Sequence, residues 1–150
     1  MRNVSAYTKF RGRPRNETKI TLPYRFIPRS YQALPWNALA DGKKRAVCVW
    51  HRRAGKDKTF LNYTIKEMYK RVGTYYHLFP TYAQGKKTIW DGIGSDGIPF
   101  LAHFPEALVA SKNETEMQIR MKNGSIWQVV GTDRNLDNLV GPNPVGCVFS

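Results

Sequence analysis

RAVCVWHRRAGKDKT, residues 45–59, is the stretch that decides the fold class. Residues 45–50 form a short apolar run, which is typical of a strand buried on both faces. A loop follows over residues 51–55. Four apolar residues then recur at spacings of four, three and four, which predicts an amphipathic helix over residues 56–72. They are Leu61, Ile65, Met68 and Val72. Gly73 is placed to cap the end of that helix.

The remaining segments continue an alternation of helices and strands. Residues 28–41 predict a short helix that begins near Pro35, because proline fits the first turn of a helix but breaks its interior. Asn123-Gly124 between two β-rich runs, residues 117–121 and 126–130, predicts a hairpin. The other predictions are a strand over residues 74–80, a weak helix over 81–91, a helical turn over 98–104 and a strand over 145–150. This order predicts an α/β sheet in which residues 45–50 and 145–150 are parallel strands.

The basic charge of the chain lies entirely in its first half. The formal net charge is +13; residues 1–71 hold eighteen Lys/Arg and four Asp/Glu, and residues 72–150 hold six and seven. Such a surplus favours polyanions, DNA above all, without sequence preference. We therefore divide the chain into a basic arm, residues 1–22, and a folded domain, residues 23–150. The arm residues expected to contact DNA are Arg2, Arg11, Arg13 and Arg15. No apolar run approaches the roughly 18 residues of a membrane span, so no membrane partner is expected.

The loop over residues 51–55 has the layout of a phosphate-binding loop. A strand feeds a tight turn, and Gly55-Lys56 opens a helix whose N-terminal N–H groups would face an anion. Lys56 would reach the β- and γ-phosphates of a nucleotide. The standard pattern fails in two places, since Trp50 stands where a glycine is usual and Asp57 where Ser or Thr would hold magnesium. A helix start on a basic surface is the alternative.

The ordered motifs resemble the large subunit of the tailed-bacteriophage terminase, the ATPase that packages DNA into procapsids. Gly55-Lys56 preceded by two arginines is similar to that family's phosphate loop. Tyr31-Gln32 resembles its adenine-recognition element. Residues 79–87 (FPTYAQGKK) resemble the Pro-Thr strand end shared with helicases. The segment that leads into the family's Walker B strand also has counterparts here. They are residues 123–125 (NGS), residues 131–133 (GTD) with Asp137, Leu139 and Gly141, and the apolar end VGCVFS.

The resemblance implies a fold and a set of site residues. The fold would be a P-loop NTPase of the RecA/ASCE type, with a parallel-sheet core and helices on both faces. The ligands would be ATP and Mg²⁺. Lys56 would be the phosphate lysine and Arg52 a charge-stabilising finger acting in cis. Gln32, beside Tyr31, would read the adenine amino group. The nucleotide-binding loop would comprise Arg52, Arg53, Ala54, Gly55, Lys56, Asp57 and Lys58, with Asp57 as the candidate magnesium ligand.

The resemblance also implies partners and a location. They are double-stranded DNA, the phage portal protein and the terminase small subunit, with an oligomeric ring formed only on the portal. The location would be the host bacterial cytoplasm and, transiently, the procapsid. In the family the Walker B strand is followed by acidic residues and later by a nuclease domain, whereas this sequence ends at Ser150. We therefore expect the intact parent protein to be an ATPase and nuclease, and this chain to bind ATP without turnover.

Two alternatives stay open at the sequence level. The chain could be a non-enzymatic, basic module whose Gly-Lys loop grips the phosphates of DNA. It could also be a helicase-like ATPase of the same superfamily. His77 and His103 lie among apolar residues with no catalytic partner at a signature spacing, so both are assigned to the core. Asp133 and Asp137 are read either as turn formers or as residues near the nucleotide or the DNA.

Overall fold

The computed structural model describes residues 26–133 and 143–150. They form one mixed five-stranded sheet with helices, in the strand order β2-β3-β4-β1-β5. The strands are β1 (Thr74–Phe79), β2 (Val109–Asn113), β3 (Gln118–Met121), β4 (Ile126–Gly131) and β5 (Gly146–Phe149). The basic arm, with Arg2, Arg11, Arg13 and Arg15, and also Asp137 lie outside the described residues. The α/β class is confirmed.

The sheet joins a parallel half to an antiparallel half. β1 pairs in parallel with β4 on one side and with β5 on the other. β3 pairs antiparallel with β4 and with β2. The predicted hairpin of β3 and β4 is confirmed: Gly124 has a φ of 92°, and Asn123 Oδ1 accepts a hydrogen bond from Ser125 N. This hairpin makes the sheet mixed instead of all-parallel.

Residues 45–50 do not form a strand, so the prediction that they are a strand of the same sheet as residues 145–150, parallel to them, is wrong. Among the described residues, strand β5 is the last strand of the sheet and pairs only with β1, and residues 45–50 form no ladder with its outer edge. The segment is left without a ladder partner in the described chain. Its Val47 and Val49 are 93% and 94% exposed. An apolar run of this kind has strand propensity, but propensity alone supplies no partner.

Helix α2 (Lys56–Lys70) packs its apolar face on the sheet. Leu61, Ile65 and Met68 are fully buried, as the periodicity predicts. The helix ends at Lys70, and Arg71 is already extended, so the predicted cap at Gly73 is wrong. Gly73 instead permits a close approach of two segments: a Cβ at this position would lie 2.3 Å from Val145 Cγ2.

The core gathers around Trp127 in β4. Trp127 is fully buried and its ring lies near those of Trp90, Phe104 and His77, at centroid distances of 6.2, 5.1 and 6.2 Å. The register places Tyr75, His77 and Trp127 on one face of the sheet. Helix α2 covers this face, since the Tyr75 hydroxyl donates to the carbonyls of Glu67 and Arg71.

The segment after β1 covers the same face. As predicted, it is helical: α3 (Tyr82–Gly85) continues into a π-helical turn, Lys86–Trp90. Its Ile89 and Trp90 belong to the core around Trp127. The opposite face carries Tyr76 and Leu78, which are buried, and Arg120, Cys147 and Phe149, which are exposed. Helix α2 and the segment after β1 thus cover the face of Trp127, and helices on both faces stay a prediction of the resemblance.

Helix α1 (Ser30–Ala40) begins five residues before Pro35, which corrects the predicted start. The start is fixed by Gln32, whose Oε1 accepts a hydrogen bond from Arg29 N at 3.0 Å. Pro35 therefore lies inside the helix and removes only the one N–H that would reach back to Tyr31. Trp36 then packs edge-on against Tyr63 of α2, at 5.1 Å between ring centroids. No helix in residues 26–133 or 143–150 has the length and apolar character needed to cross a membrane.

Candidate functional site

The loop over residues 51–55 lies at the carboxyl edge of the parallel strands. It enters α2 at Lys56, and Asp57 in the first turn contacts the hydroxyl of Ser150, the residue after β5. His77 near the carboxyl end of β1 lies on the other side of the same carboxylate. Ligands in α/β proteins bind at this edge, because loops and helix N-termini converge there.

Two residues of the loop adopt the left-handed backbone conformation. Gly55 has a φ of 75° and Arg53 a φ of 70°. Gly55 adopts it at no steric cost, whereas Arg53 bears a penalty of about 1–2 kcal/mol because of its Cβ. A turn hydrogen bond from Ala54 N to His51 O closes the loop at 3.3 Å. Strained backbone of this kind clusters at functional sites.

Side chains of α1 hold the loop by the carbonyl of Ala54. Gln32 Nε2 donates to that oxygen at 2.7 Å, and the Tyr31 hydroxyl donates at 2.9 Å. Gln32 is only 3% exposed, and a Cβ on Gly55 would lie 3.2 Å from its Nε2. Both ends of the Gln32 amide are thus engaged within the protein. Its direct reading of adenine stays a prediction, and its observed contact is with the loop backbone.

A pocket of about 300 Å³ opens beside this loop. It combines apolar side chains with three cationic ones and one carboxylate. The lining residues are Phe26, Ile27, Arg29, Gln32, Arg53, Gly55, Lys58, Ser95 and Asp96. Such a mixture suits a ligand that has both a flat apolar part and an anionic part.

The pocket separates the predicted site residues into two groups. Gln32, Arg53, Gly55 and Lys58 line it, whereas Arg52 and Lys56 do not. Of the two loop arginines, it is therefore Arg53 that lines the pocket, although the resemblance gives the finger role to Arg52. Ala54 is the buried residue of the loop. The Tyr31 ring packs edge-on against that of Trp50, with 5.5 Å between the ring centroids.

Asp96 is a site residue that the sequence analysis missed. It forms an ion pair with Lys58 across the pocket. The hydrogen bond from Lys58 is the main cause that lowers the pKa of the Asp96 carboxyl. Its signal in the sequence is only a glycine-flanked turn, Gly94 to Gly97, which gives no indication that the turn returns to α2. An anionic ligand would compete with Asp96 for the Lys58 ammonium.

His77 lies in the core, as predicted, but its position beside Asp57 was not predicted from the sequence. Its ring is fully buried, and neither ring nitrogen has a hydrogen-bond partner. Nε2 lies 4.0 Å from Asp57 Oδ1. Burial is the main cause that lowers the pKa of His77 to about 4, against the opposing pull of the Asp57 carboxylate. The imidazole is therefore neutral at pH 7.

Asp57 and Ser150 offer oxygen donors beside the loop. The Thr59 hydroxyl donates to Gly55 O at 2.9 Å and is thus engaged in the helix. Asp57 and Ser150 are hard donors, which fit Mg²⁺ when phosphate oxygens and water complete the shell. Residues 26–133 and 143–150 contain no cluster of three or more His, Cys, Asp or Glu side chains that could hold a metal by themselves. Asp133 Oδ1 accepts a hydrogen bond from Tyr82 N, at the start of α3.

Comparison with known proteins adds no relative. No protein-family model matches the chain, and no match was found among curated proteins or solved structures. The site itself and the motif resemblance are therefore what indicate its function.

Proposed function

We propose that this chain is the ATP-binding part of a phage terminase large subunit, which drives the packaging of double-stranded viral DNA into procapsids by ATP hydrolysis. One observation carries the proposal: a left-handed loop, held by the Ala54 carbonyl, enters the N-terminus of α2 beside a pocket with three cations. The ordered sequence motifs support the same conclusion.

The nucleotide phosphates would bind at the first turn of α2. The free N–H groups there and the positive end of the helix dipole favour an anion. Lys56 starts the helix, and Lys58 and Arg53 reach the pocket. Phe26 and Ile27 would contact the base. The base and phosphates of one ATP would thus fill the apolar and the cationic parts of the pocket.

Hydrolysis would be an in-line attack of water on the γ-phosphate. Most of the acceleration in such reactions comes from positioning and charge neutralisation, which cations and Mg²⁺ supply. Arg53 lines the pocket and Arg52 does not, so we assign the charge-stabilising role to Arg53 before Arg52. The portal protein, the small subunit, the ring on the portal and the cytoplasmic location remain part of this proposal.

The test is the affinity of a fluorescent ATP analogue for the wild type and for Lys56→Ala. Lys122→Ala is the matched control, because Lys122 is an exposed lysine in the β3–β4 turn and its replacement changes the net charge equally. We expect Lys56→Ala to weaken binding by at least about tenfold, as the removal of a hydrogen bond to a charged group does. Equal affinities of Lys56→Ala and Lys122→Ala would remove the phosphate-loop assignment.

The non-enzymatic DNA-binding module is the second candidate, and the excess of lysine and arginine in residues 1–71 fits it as well as it fits the ATPase. The discriminating measurement is DNA affinity against salt, with and without ATP. If the loop serves ATP, Lys56→Ala leaves DNA affinity nearly intact, whereas deletion of residues 1–15 weakens it. The slope of the logarithm of DNA affinity against the logarithm of salt concentration should become shallower by about one for each removed cation that neutralises a DNA phosphate.

The opposite pattern would identify the DNA-binding module. If the loop grips DNA, substitutions of Lys56 and Arg52 weaken DNA binding and ATP does not compete. A helicase-like ATPase would share the ATP results and would unwind duplex DNA.

A further inference from the structure

Three side chains from separate elements converge beside the phosphate loop. Asp57 lies in the first turn of α2, His77 in β1 and Ser150 directly after β5. The Asp57 Oδ1 atom contacts the Ser150 hydroxyl on one side and lies 4.0 Å from His77 Nε2 on the other. The cluster therefore offers one carboxylate, one hydroxyl and one imidazole to the same small volume.

The buried imidazole has no hydrogen bond that would explain its position. Buried polar atoms are nearly always paired in native proteins, yet both nitrogens of His77 lack a partner. The ring is fixed by aromatic neighbours, stacking on Phe79 at 5.2 Å and meeting the edge of Trp127 at 6.2 Å. A separation of 4.0 Å from Asp57 Oδ1 is too long for a hydrogen bond.

The same separation suits two ligands that lie on nearly opposite sides of one metal ion, because atoms 4.0 Å apart that both bond to one ion subtend a wide angle at it. Metal–nitrogen and metal–oxygen bonds of first-row ions such as zinc are about 2.0–2.2 Å long, so an ion between these two atoms would bond to both. Ser150 would supply a third donor, and water or a phosphate oxygen the rest. A nitrogen donor favours transition metals, whereas Mg²⁺ takes oxygen donors almost exclusively.

We propose that Asp57, His77 and Ser150 form a divalent cation site beside the phosphate loop, and that its imidazole makes the site prefer a first-row transition-metal ion to Mg²⁺. This inference deepens the proposed function, since the cation would lie next to the bound phosphates. Asp57 stands where Ser or Thr usually follows the loop lysine. The proposed site accounts for this difference, because a carboxylate at this position can share a cation with His77.

The test measures Mn²⁺ binding to the full chain without nucleotide, by the decrease of the free Mn²⁺ signal in electron paramagnetic resonance. We expect one bound Mn²⁺ per chain and competition by Mg²⁺ only at about tenfold or higher relative concentration. His77→Phe keeps the stacked ring and should remove this preference. Asp57→Asn should abolish binding, while His103→Phe, at a second buried histidine, should leave both unchanged.

A second measurement decides the matter if His77→Phe does not fold. Pulsed resonance of Mn²⁺ on the wild type detects the ¹⁴N nucleus of a coordinating imidazole directly. A nitrogen coupling supports the site. Its absence, the lack of any bound Mn²⁺, or equal Mn²⁺ preference in His77→Phe and His103→Phe would overturn it. Failure of the proposed function has a different signature, because Lys56→Ala and the wild type would then bind the ATP analogue equally whatever the Mn²⁺ result.

Discussion

The core around Trp127 and the loop over residues 51–55 are stabilised by different interactions, apolar contacts in the core and hydrogen bonds in the loop. Trp127 is fixed by apolar contacts with Trp90, Phe104 and the covering helices. The loop is fixed by hydrogen bonds: two side chains of α1 donate to Ala54 O, and Ala54 N donates to His51 O. It contains two left-handed residues. Substitutions in the core should therefore reduce stability throughout the domain, while substitutions in the loop should mainly change ligand affinity.

The largest expected effect is that of Trp127→Ala. Removal of a fully buried aromatic side chain typically costs about 3–5 kcal/mol, and urea unfolding measures the decrease in stability. Phe149→Ala is the control, because its side chain is 79% exposed and such surface changes stay within about 0.5 kcal/mol. Similar decreases for the two variants would show that the sheet is not anchored at Trp127.

The second effect is a decrease of stability in acid that depends on His77. The pKa of His77 is about 4 in the folded chain and about 6.5 in the unfolded chain. The unfolded state therefore binds more protons between these values. The contribution of His77 is complete above pH 6.5 and is lost as the pH falls towards 4, with a slope of at most about 1.4 kcal/mol per pH unit.

Urea unfolding of the wild type and of His77→Phe, in the presence of a chelator, measures this slope. The variant should unfold with a flatter pH dependence between the unfolded-state and folded-state pKa values of the histidine. Parallel pH profiles of the two proteins would mean that His77 is not the group that senses acid.

The third effect concerns the two hydrogen bonds that hold the loop. Gln32→Ala removes the donor to Ala54 O and leaves that buried carbonyl with Tyr31 alone, at a cost of about 1–3 kcal/mol. We expect the affinity for the ATP analogue to fall with it, because the loop no longer has a fixed shape. Tyr31→Phe removes only the more exposed of the two donors and should have the smaller effect on both quantities. The reverse order would make Tyr31 the main support of the loop.

The smallest effect separates the two neighbouring arginines. Arg53→Gly relieves the left-handed backbone and should stabilise the fold by about 1 kcal/mol, while it removes a cation from the pocket and weakens binding of the ATP analogue. Arg52→Gly offers no such relief and should be neutral or destabilising. Thermal unfolding of the two variants measures the change in stability, and titration with the ATP analogue measures the change in affinity. A more stable Arg52→Gly would contradict the assignment of strain to Arg53.

The positions of helices and strands are easier to predict from the sequence than the pairing of strands in the sheet. The helix over Lys56–Lys70, the strand Thr74–Phe79 and the hairpin around Gly124 follow from local periodicity and turn chemistry. The exposure of residues 45–50 could not be predicted, because strand pairing depends on contacts with distant segments that a local apolar run does not encode. Strand β2 was not predicted either: its sequence, VASKN, is polar and mostly exposed, and it is held as a strand by pairing with β3.

The candidate site could be predicted only where its residues are neighbours in the chain. Gly55-Lys56 and Tyr31-Gln32 are adjacent pairs with a motif spacing, so the sequence alone indicates them. His77 lies twenty positions after Asp57, and Asp96 lies thirty-eight after Lys58. In the fold, β1 packs beside α2, which brings His77 close to Asp57. The turn over residues 94–97 lies at the pocket, which brings Asp96 close to Lys58. Neither contact is encoded in a local sequence pattern.

The central claim is that ATP phosphates bind at the loop and the first turn of α2. Two-dimensional ¹H–¹⁵N spectra of the labelled chain, recorded during titration with ATP, test it most directly. We expect the amide signals of the loop end and the first turn of α2 to shift most, and those of the β3–β4 turn to stay unchanged. The shifting residues would be Gly55, Lys56, Asp57 and Lys58. Saturable shifts confined to other residues, or no shift in the α2 N-terminus at ATP concentrations that displace the fluorescent analogue, would contradict the claim.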